Sequence, residues 1–396
     1  MELNSIIGTG ITPFNRSDRS IEEMAFVAVR DALCDAGVTK DQIDVVVASN
    51  AVAGLITGQE MIRGQSVLRR TGLLGKPVIN TENACASGAT AIFIADNLLR
   101  SGSFETALVL GVEKMTHSDK SITLGAIESA VDIEAPPAIA KATSGVSRSY
   151  FMDIYAHMAR KYMSDFHVTR DIFAQVVVKN RRNGAMNKIA QFQSRVTVEE
   201  VLESRNIVEP LTLMMCSPIT NGAAALVLSS PSALKRISNK PSPRPVWLAS
   251  CALVSGRDDE GTGQSAVTRA AIIAYERASI SPSDINVVEL HDGAAPAELI
   301  TTEQLLLAEP GEAVHLLEVG ETFIGGRVPI NPSGGLIARG HPIGATGCAQ
   351  VVELVNQLRE RCGPRQVAGA RVGLAENAGG YLRSDSAAAS VIVLRV

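Results

Sequence analysis

Asn83-Ala84-Cys85-Ala86-Ser87-Gly88-Ala89-Thr90 sets a cysteine and a run of small residues where an extended segment turns into a helix. Upstream, Pro77-Val78-Ile79-Asn80-Thr81 reads as a short strand; downstream, Ala89 to Leu99 has the apolar spacing of a helix. Cys85 is thereby predicted at a strand-to-helix junction, where unpaired backbone N–H groups and the helix dipole favour a thiolate and lower its pKa. Ser87 and Gly88 leave room for a substrate beside such a nucleophile. The competing reading is an inert, packed thiol, because free cysteine is among the most buried residue types.

The stretch has a second copy. Cys85-Ala86-Ser87-Gly88-Ala89-Thr90 lines up with His341-Pro342-Ile343-Gly344-Ala345-Thr346, and Ala36 to Val47 lines up without a gap with Ala278 to Glu289. Two matches in the same order predict two copies of one α/β unit about a pseudo-twofold axis, with Cys85 and His341 at equivalent junctions. The halves are expected at 1–240 and 241–396, with Pro-rich Pro241 to Pro245 as linker. A loop subdomain at about 116–210 is expected as an insertion, holding Pro136-Pro137 and helical stretches at Tyr150–Met163 and Asp171–Asn183. Its Lys179, Arg181, Arg182 and Lys188 read as a solvated helix face, with contact to an anionic cofactor phosphate as the alternative.

At 396 residues the chain exceeds one domain of roughly 150. Hydrophobic residues make up 46% and aromatics only 4%, so the core must be built from Ala, Val, Leu and Ile, and 33 glycines suit the tight turns of an α/β fold. A net charge of -4 without a basic stripe argues against nucleic acid or an anionic membrane as principal partner. The first residues lack a charged leader and an apolar h-region, and no run reaches the ~18 apolar residues of a membrane span, so a cytoplasmic location is expected. Six cysteines at 34, 85, 216, 251, 348 and 362 show no C-x-x-C spacing, and no His pair has H-E-x-x-H spacing, so free thiols and no metal are expected. Cys34, at a helix end, is expected in the core. Gly8-Thr9-Gly10 fails the dinucleotide fingerprint because Pro13 stands at its third glycine.

Asn331 to Gly347 is mostly Gly, Pro, Ser, Thr and Ala around a single histidine, a costly composition in chain entropy for a mere helix start. Facing Cys85, His341 could take the thiol proton and later hydrogen-bond a thioester oxygen. His291, in His291-Asp292-Gly293 at a predicted strand end, could be a second donor to that oxygen or a plain strand cap. His117, His157, His167 and His315 read as structural or surface residues.

Asn83 to Gly88, Gly111-Val112-Glu113-Lys114-Met115, Asn221-Gly222-Ala223-Ala224-Ala225, His291-Asp292, Asn331-Pro332-Ser333-Gly334-Gly335 and Gly340 to Gly347 occur in this order. With them the whole chain resembles the thiolase superfamily, and within it the sterol-carrier-protein-like group often labelled lipid-transfer or acetyl-CoA acetyltransferase proteins. The resemblance implies a five-layered αβαβα fold of two duplicated halves, with mixed five-stranded sheets and an inserted loop domain that helps cover coenzyme A. It implies Cys85 as the acylated nucleophile, with His341 as its activator and part of an oxyanion hole. His291 stands where this subgroup has His-Asp, and the Gly379 N–H would form the other oxyanion hole with that of Cys85. Ser333, Gly334 and Asn377 are expected at the same substrate site.

One departure stands out. The resemblance calls for a second acid/base cysteine, after His-Asp or in a C-terminal Cys-x-Gly, and these positions hold Gly293 and Asn377; Glu376 lies beside the latter. The implied function is an acyl-CoA acyltransferase working through a Cys85 thioester, with carbon–carbon bond formation or cleavage, including a decarboxylative variant, as its possible extension. Alternatives are a non-catalytic or partner-dependent subunit that binds acyl-CoA or lipid, and a retro-aldol lyase. Acyl-CoA or coenzyme A would be substrate rather than resident cofactor. A homodimer or dimer of dimers, and a small OB-fold, zinc-ribbon partner, are also implied.

Overall fold

The structure, a computed structural model, describes residues 2–134, 149–237, 244–257 and 263–396. Pro136-Pro137, the 240/241 boundary and most of the Pro-rich linker lie outside the described residues. In chain order the main elements are β1 (Ser5–Ile11), α1 (Ile21–Ala36), β2 (Val45–Ser49), β3 (Val78–Thr81), α2 (Ser87–Arg100), β4 (Thr106–Glu113), α3 (Tyr150–Phe166), α4 (Asp171–Gly184), β5 (Gly222–Ser229), β6 (Val246–Ser255), α5 (Ala266–Ala278), β7 (Val287–Glu289), α6 (Ala295–Gln304), α7 (Gly335–Arg339), α8 (Thr346–Leu358), β8 (Val372–Gly379) and β9 (Ala388–Arg395).

The first repeat holds to the residue because local chemistry specifies it twice. α1 stops at Gly37 and α5 at Ser279, both left-handed, and 3₁₀ turns follow at Lys40–Gln42 and Pro282–Asp284. Each turn is closed by a capping box, Thr39 with Gln42 and Ser281 with Asp284, before β2 and β7 begin.

The strands form one 9-stranded mixed sheet in the order β3-β2-β4-β5-β1-β6-β9-β8-β7. Its first five strands are one half. The other four are the second half, and Ile330 bridges Val288 of β7 in parallel where a counterpart of β3 would stand. The two half-sheets expected as separate are joined edge to edge, because β1 pairs antiparallel with β6 at Ser5–Trp247 and Ile6–Val246. This pairing satisfies backbone groups that two free edges would leave open.

Helices α2 and α8 pack between the two half-sheets, sharing a core in which Ile92 and Val351 meet Leu226 of β5 and Ile392 of β9. α1 covers the outer face of the first half, and α5 that of the second. Five layers, αβαβα, result. α3, α4 and α6 bury a separate apolar cluster that includes Ala156, Phe173 and Leu299.

The second repeat holds in architecture but slips in register. 3₁₀ turns at Ala84–Ala86 and Ile343–Ala345 lead into α2 and α8, so the counterpart of Cys85 is Gly344, three residues beyond His341. Strings of Gly, Ala and Thr match in more than one register, and packing decides between them. A Cβ on Gly88 would lie 2.9 Å from the Cys348 nitrogen, and one on Gly347 would lie 2.4 Å from the Ala89 nitrogen. The two helices thus start backbone to backbone. Gly347→Ala is expected to destabilise the fold by about 1–3 kcal/mol through overpacking against rigid main chain. Gly125→Ala, on a helix with open space around the α-carbon, should be neutral or gain about 0.5–1 kcal/mol; urea midpoints of the two variants check this.

Three surface assignments change. Lys179 and Arg181 are buried: Lys179 pairs with Glu298 at 3.0 Å, while Arg181 donates to the Ser194 carbonyl at 3.1 Å and stacks over Phe192. Arg182 and Lys188 alone keep the expected exposure. Cys34 is exposed, since the buried face of α1 runs through Met24, Ala25, Ala28, Val29, Ala32 and Ala36. All six cysteines are free. Among the described residues no helix is long and apolar enough to cross a membrane.

Candidate active site

Cys85 sits at the middle of its 3₁₀ turn, and Ala84 before it is forced to φ 47°, a left-handed conformation rare for a residue with a Cβ. Ser87 holds the turn, its Oγ accepting from the Asn83 N–H at 2.8 Å and donating to the Ala84 carbonyl at 2.5 Å. Glu113, at the end of β4, ties the second junction to the loop after β2. Its carboxylate accepts from the N–H groups of Ala51 at 2.9 Å and Gly344 at 3.0 Å, and from Asn50 Nδ2 at 2.8 Å.

His341 reaches across from the second half. Its Nε2 lies 3.3 Å from Cys85 Sγ and its Nδ1 2.8 Å from Thr346 Oγ1. The Thr346 hydroxyl has one proton, which it donates to the Pro342 carbonyl at 3.1 Å, so toward His341 it can only accept. This assigns the imidazole proton to Nδ1 and leaves Nε2 as an acceptor for the thiol. His291, just past β7, packs edge-on against His341 with ring centroids 5.1 Å apart, and its Nε2 has no partner among the described residues. The ligand atoms of Cys85, His291 and His341 lie within 4.8 Å of one another, a set that a soft divalent ion could also bind.

Burial governs the protonation states. It pushes the Cys85 thiol up to about 12, with backbone N–H groups of Gly380 and Cys85 pulling the other way. The expected low-pKa thiolate is therefore corrected, because desolvation outweighs the helix terminus. Burial likewise lowers His291 to about 4, and lowers His341 well below its ordinary 6.5 with the His291 and Arg339 charges adding to the effect. The resting pair is neutral thiol and neutral imidazole.

The remaining expected residues divide. The N–H directed at the Cys85 sulfur is that of Gly380, one residue beyond the expected Gly379. The Gly379 α-carbon packs on the nucleophile turn, where a Cβ would lie 2.2 Å from the Asn83 carbonyl oxygen. Ser333 and Gly334 do not line the cavity: Ser333 donates from its Oγ and its N–H to Glu289 at 2.7 and 2.9 Å, and Gly334 packs on Gly184. Asn377 is buried with its amide beside Gly347 and also stays off the cavity wall. All three stand off the cavity wall, Ser333 because Glu289 holds it.

Asp292 anchors the loop behind the histidines, accepting from the Leu336 N–H at 2.6 Å and from Asn180 Nδ2 at 2.9 Å. A Cβ on Gly335 would lie 2.3 Å from Asp292 Oδ2, which is why the residue there is glycine. Glu376 is fully buried, accepts the His291 N–H at 2.9 Å, and is pushed up to about 7 by burial.

Cys85, His291 and His341 open into a cavity of 1900 Å³ between the core and α3. Arg16, Lys114, Lys120, Lys161 and Arg205 line it, whereas Lys179, Arg181, Arg182 and Lys188, weighed from sequence as an alternative phosphate contact, do not. His117 and His157, read from sequence as peripheral, also border it. The sequence offered no motif for Gly380, Tyr155 or Cys216, although the Gly379-Gly380 doublet marked a backbone kept bare beside the site.

The comparisons with known proteins bear on the family and the fold. Residues 5–232 match the thiolase N-terminal domain, and 251–394 match the thiolase C-terminal domain-like family. An acetyl-CoA acetyltransferase of Methanothermobacter thermautotrophicus is 38% identical over 95% of this chain and 96% of its own. Sterol carrier protein 2 of Bos taurus is 34% identical over 94% of this chain and 69% of its own, and the benzoylsuccinyl-CoA thiolase subunit BbsB of Thauera aromatica is 33% identical over 91% and 90%. Among solved structures, the Ltp2-ChsH2(DUF35) aldolase superposes with TM-score 0.80 at 25% identity over 100% of this chain and 98% of the other. Human mitochondrial 3-ketoacyl-CoA thiolase superposes with TM-score 0.72 at 17% identity over 99% and 98%, a likeness of fold. By family model, relatives and five-layered architecture alike, the chain belongs to the thiolase family.

Proposed function

We propose that the chain is an acyl-CoA acyltransferase in which Cys85 carries the acyl group as a thioester. The observation that carries this is the 3.3 Å contact between Cys85 Sγ and an imidazole nitrogen that Thr346 leaves free to accept a proton. Cys85 attacks the thioester carbonyl of an acyl-CoA while its proton passes to His341 Nε2. The N–H groups of Gly380 and Cys85 receive the oxyanion, and coenzyme A leaves. A second acyl-CoA brought to the same cavity would present its thioester oxygen to His291 and His341, where an enolate is stabilised and a carbon–carbon bond can form or break. Basic residues on the cavity wall suit the phosphates of coenzyme A.

The relatives named as thiolase and acetyltransferase support the acyl-transfer class. The aldolase neighbour favours a second reading, retro-aldol cleavage alongside a small partner protein; retention of activity after Cys85→Ala would point to it. A homodimer in the cytosol completes the reading, since free thiols suit a reducing compartment.

Intact-protein mass after incubation with acetyl-CoA and longer acyl-CoAs is the test. The wild type is expected to gain one acyl mass, and Cys85→Ser none. No adduct with any donor, despite coenzyme A binding, would sink the acyl-enzyme and favour a binding subunit or a partner-dependent lyase.

A further inference from the structure

We propose that the Tyr155 phenol is the proton-transfer group that acts on the α-carbon of the second acyl-CoA, occupying the space that a side chain at position 293 would otherwise fill. This rests on the acyl-enzyme reading above. Two observations carry it. A Cβ built on Gly293 would lie 2.3 Å from Tyr155 Oη and 2.9 Å from Cζ, so the hydroxyl stands where position 293 would project a functional group. Tyr155 also borders the same cavity as Cys85, His291 and His341, and no hydrogen bond to the described residues ties up its hydroxyl.

The backbone at this point is held in place. The Gly293 carbonyl accepts from the Ser217 N–H at 3.1 Å, Cys216 bridges Ala294, and Asp292 is fixed by α7. Tyr155 comes from α3, so the subdomain over the cavity would supply part of the chemistry as well as a cover.

Other groups serve less well. Cys85 carries the acyl group in this step, and His341 holds the proton taken from it. His291 is a weak base, its pKa lowered by burial to about 4. Glu376 accepts the His291 N–H through Oε2 and, although its Oε1 has no partner among the described residues, the carboxyl stays off the cavity wall. Cys216 borders the cavity, but its thiol donates to the Thr212 carbonyl at 3.4 Å. Burial raises the Tyr155 phenol above its ordinary 10, so it rests protonated and, once deprotonated, is a base strong enough for a carbon acid.

The protons balance around one turnover. Cys85 gives its proton to His341, forms its bond to the acyl carbon, and the carbon–sulfur bond to coenzyme A breaks. The departing coenzyme A sulfur takes the Tyr155 proton. The phenolate then removes the α-proton of the second acyl-CoA, and the C–H electron pair becomes an enolate with its oxygen facing His291 and His341. The enolate carbon attacks the Cys85 thioester, the new carbon–carbon bond forms, and the Cys85 thiolate departs and recovers its proton from His341. Tyr155 ends as the phenol, and no further reactant is consumed.

The test follows deuterium entering the methyl group of acetyl-CoA in D2O, with the Cys85 adduct read by intact mass in the same samples. Tyr155→Phe is expected still to form the adduct, more slowly because the departing sulfur loses its proton donor, and to lower exchange at least about 100-fold. Tyr155→Ala with Gly293→Cys, which sets a thiol in the vacated space, should exchange faster than Tyr155→Ala alone. Wild-type exchange in Tyr155→Phe, loss of exchange confined to Cys216→Ser, or no exchange by the wild type would each overturn the assignment. A wild type that forms no adduct, with exchange present and lost in Tyr155→Phe, would sink the acyl-enzyme alone and uphold Tyr155.

Discussion

His341→Ala is expected to slow acylation of Cys85 at pH 7 on the order of 10⁴-fold, the upper range for a positioned general base. Burial holds the Cys85 thiol at about 12, so without a base only about one molecule in 10⁵ is ionised at that pH. The variant must wait for that fraction, and its rate should rise about tenfold per pH unit into the alkaline range. The wild type should behave differently. Its base is neutral imidazole with a pKa well below 6.5, so the base form is present at neutral pH and lost only as pH falls through that lowered value. Acylation should therefore be flat above 6.5, with its acid limb below. Quenched-flow mass measurements across the pH range check both profiles. A flat profile in His341→Ala, or a wild-type acid limb above 6.5, would remove His341 from the role.

Lys179→Met is expected to lower stability by about 3–5 kcal/mol, the usual cost of removing one partner from a buried ion pair. Lys179 Nζ is fully enclosed, 3.0 Å from Glu298 Oε1 and 2.7 Å from the Ile330 carbonyl oxygen. Asp292 and Glu298 share the Asn180 amide at 2.9 and 2.8 Å, so without the ammonium two carboxylates face one another out of water. Burial, with Glu298 next, already pushes the Asp292 carboxyl well above its ordinary 3.8, and the variant would push it further. A folded-state pKa raised above the unfolded value means that the folded form binds more protons as pH falls. The deficit should thus shrink toward acid pH and persist at neutral pH. Urea midpoints at the two pH values measure it. Lys179→Met with Glu298→Gln should recover part of the loss, because it removes one uncompensated charge.

The sequence carried the architecture where local chemistry writes it. The stop at Gly37 and Ser279, the capping boxes and the following strands repeat residue for residue, so the duplication was legible in the residues, while the five layers came with the family resemblance. The junction register was not, because runs of Gly and Ala have no local preference and only the contact between Gly88 and Gly347 selects one alignment. Cys85, His291 and His341 were legible because their chemistry is rare in such surroundings. Ser333, Gly334 and Asn377 were not, because a small polar residue near a site serves substrate or scaffold alike, and Glu289, which claims Ser333, is 44 positions away. Lys179 read as a solvated charge for the same reason, its partner Glu298 being remote in sequence. The exposure of Cys34 was within reach, since it falls off the apolar stripe of its own helix.

The second junction offers the place where a symmetric molecule would keep another nucleophile, and it holds Gly344. A Cβ there would lie 2.8 Å from the Asn50 α-carbon and 2.9 Å from Glu113 Oε2, so no side chain of any kind can return. On the acyl-enzyme reading proposed above, each chain would then be charged with a single acyl group, at Cys85, while the second unit supplies the histidines.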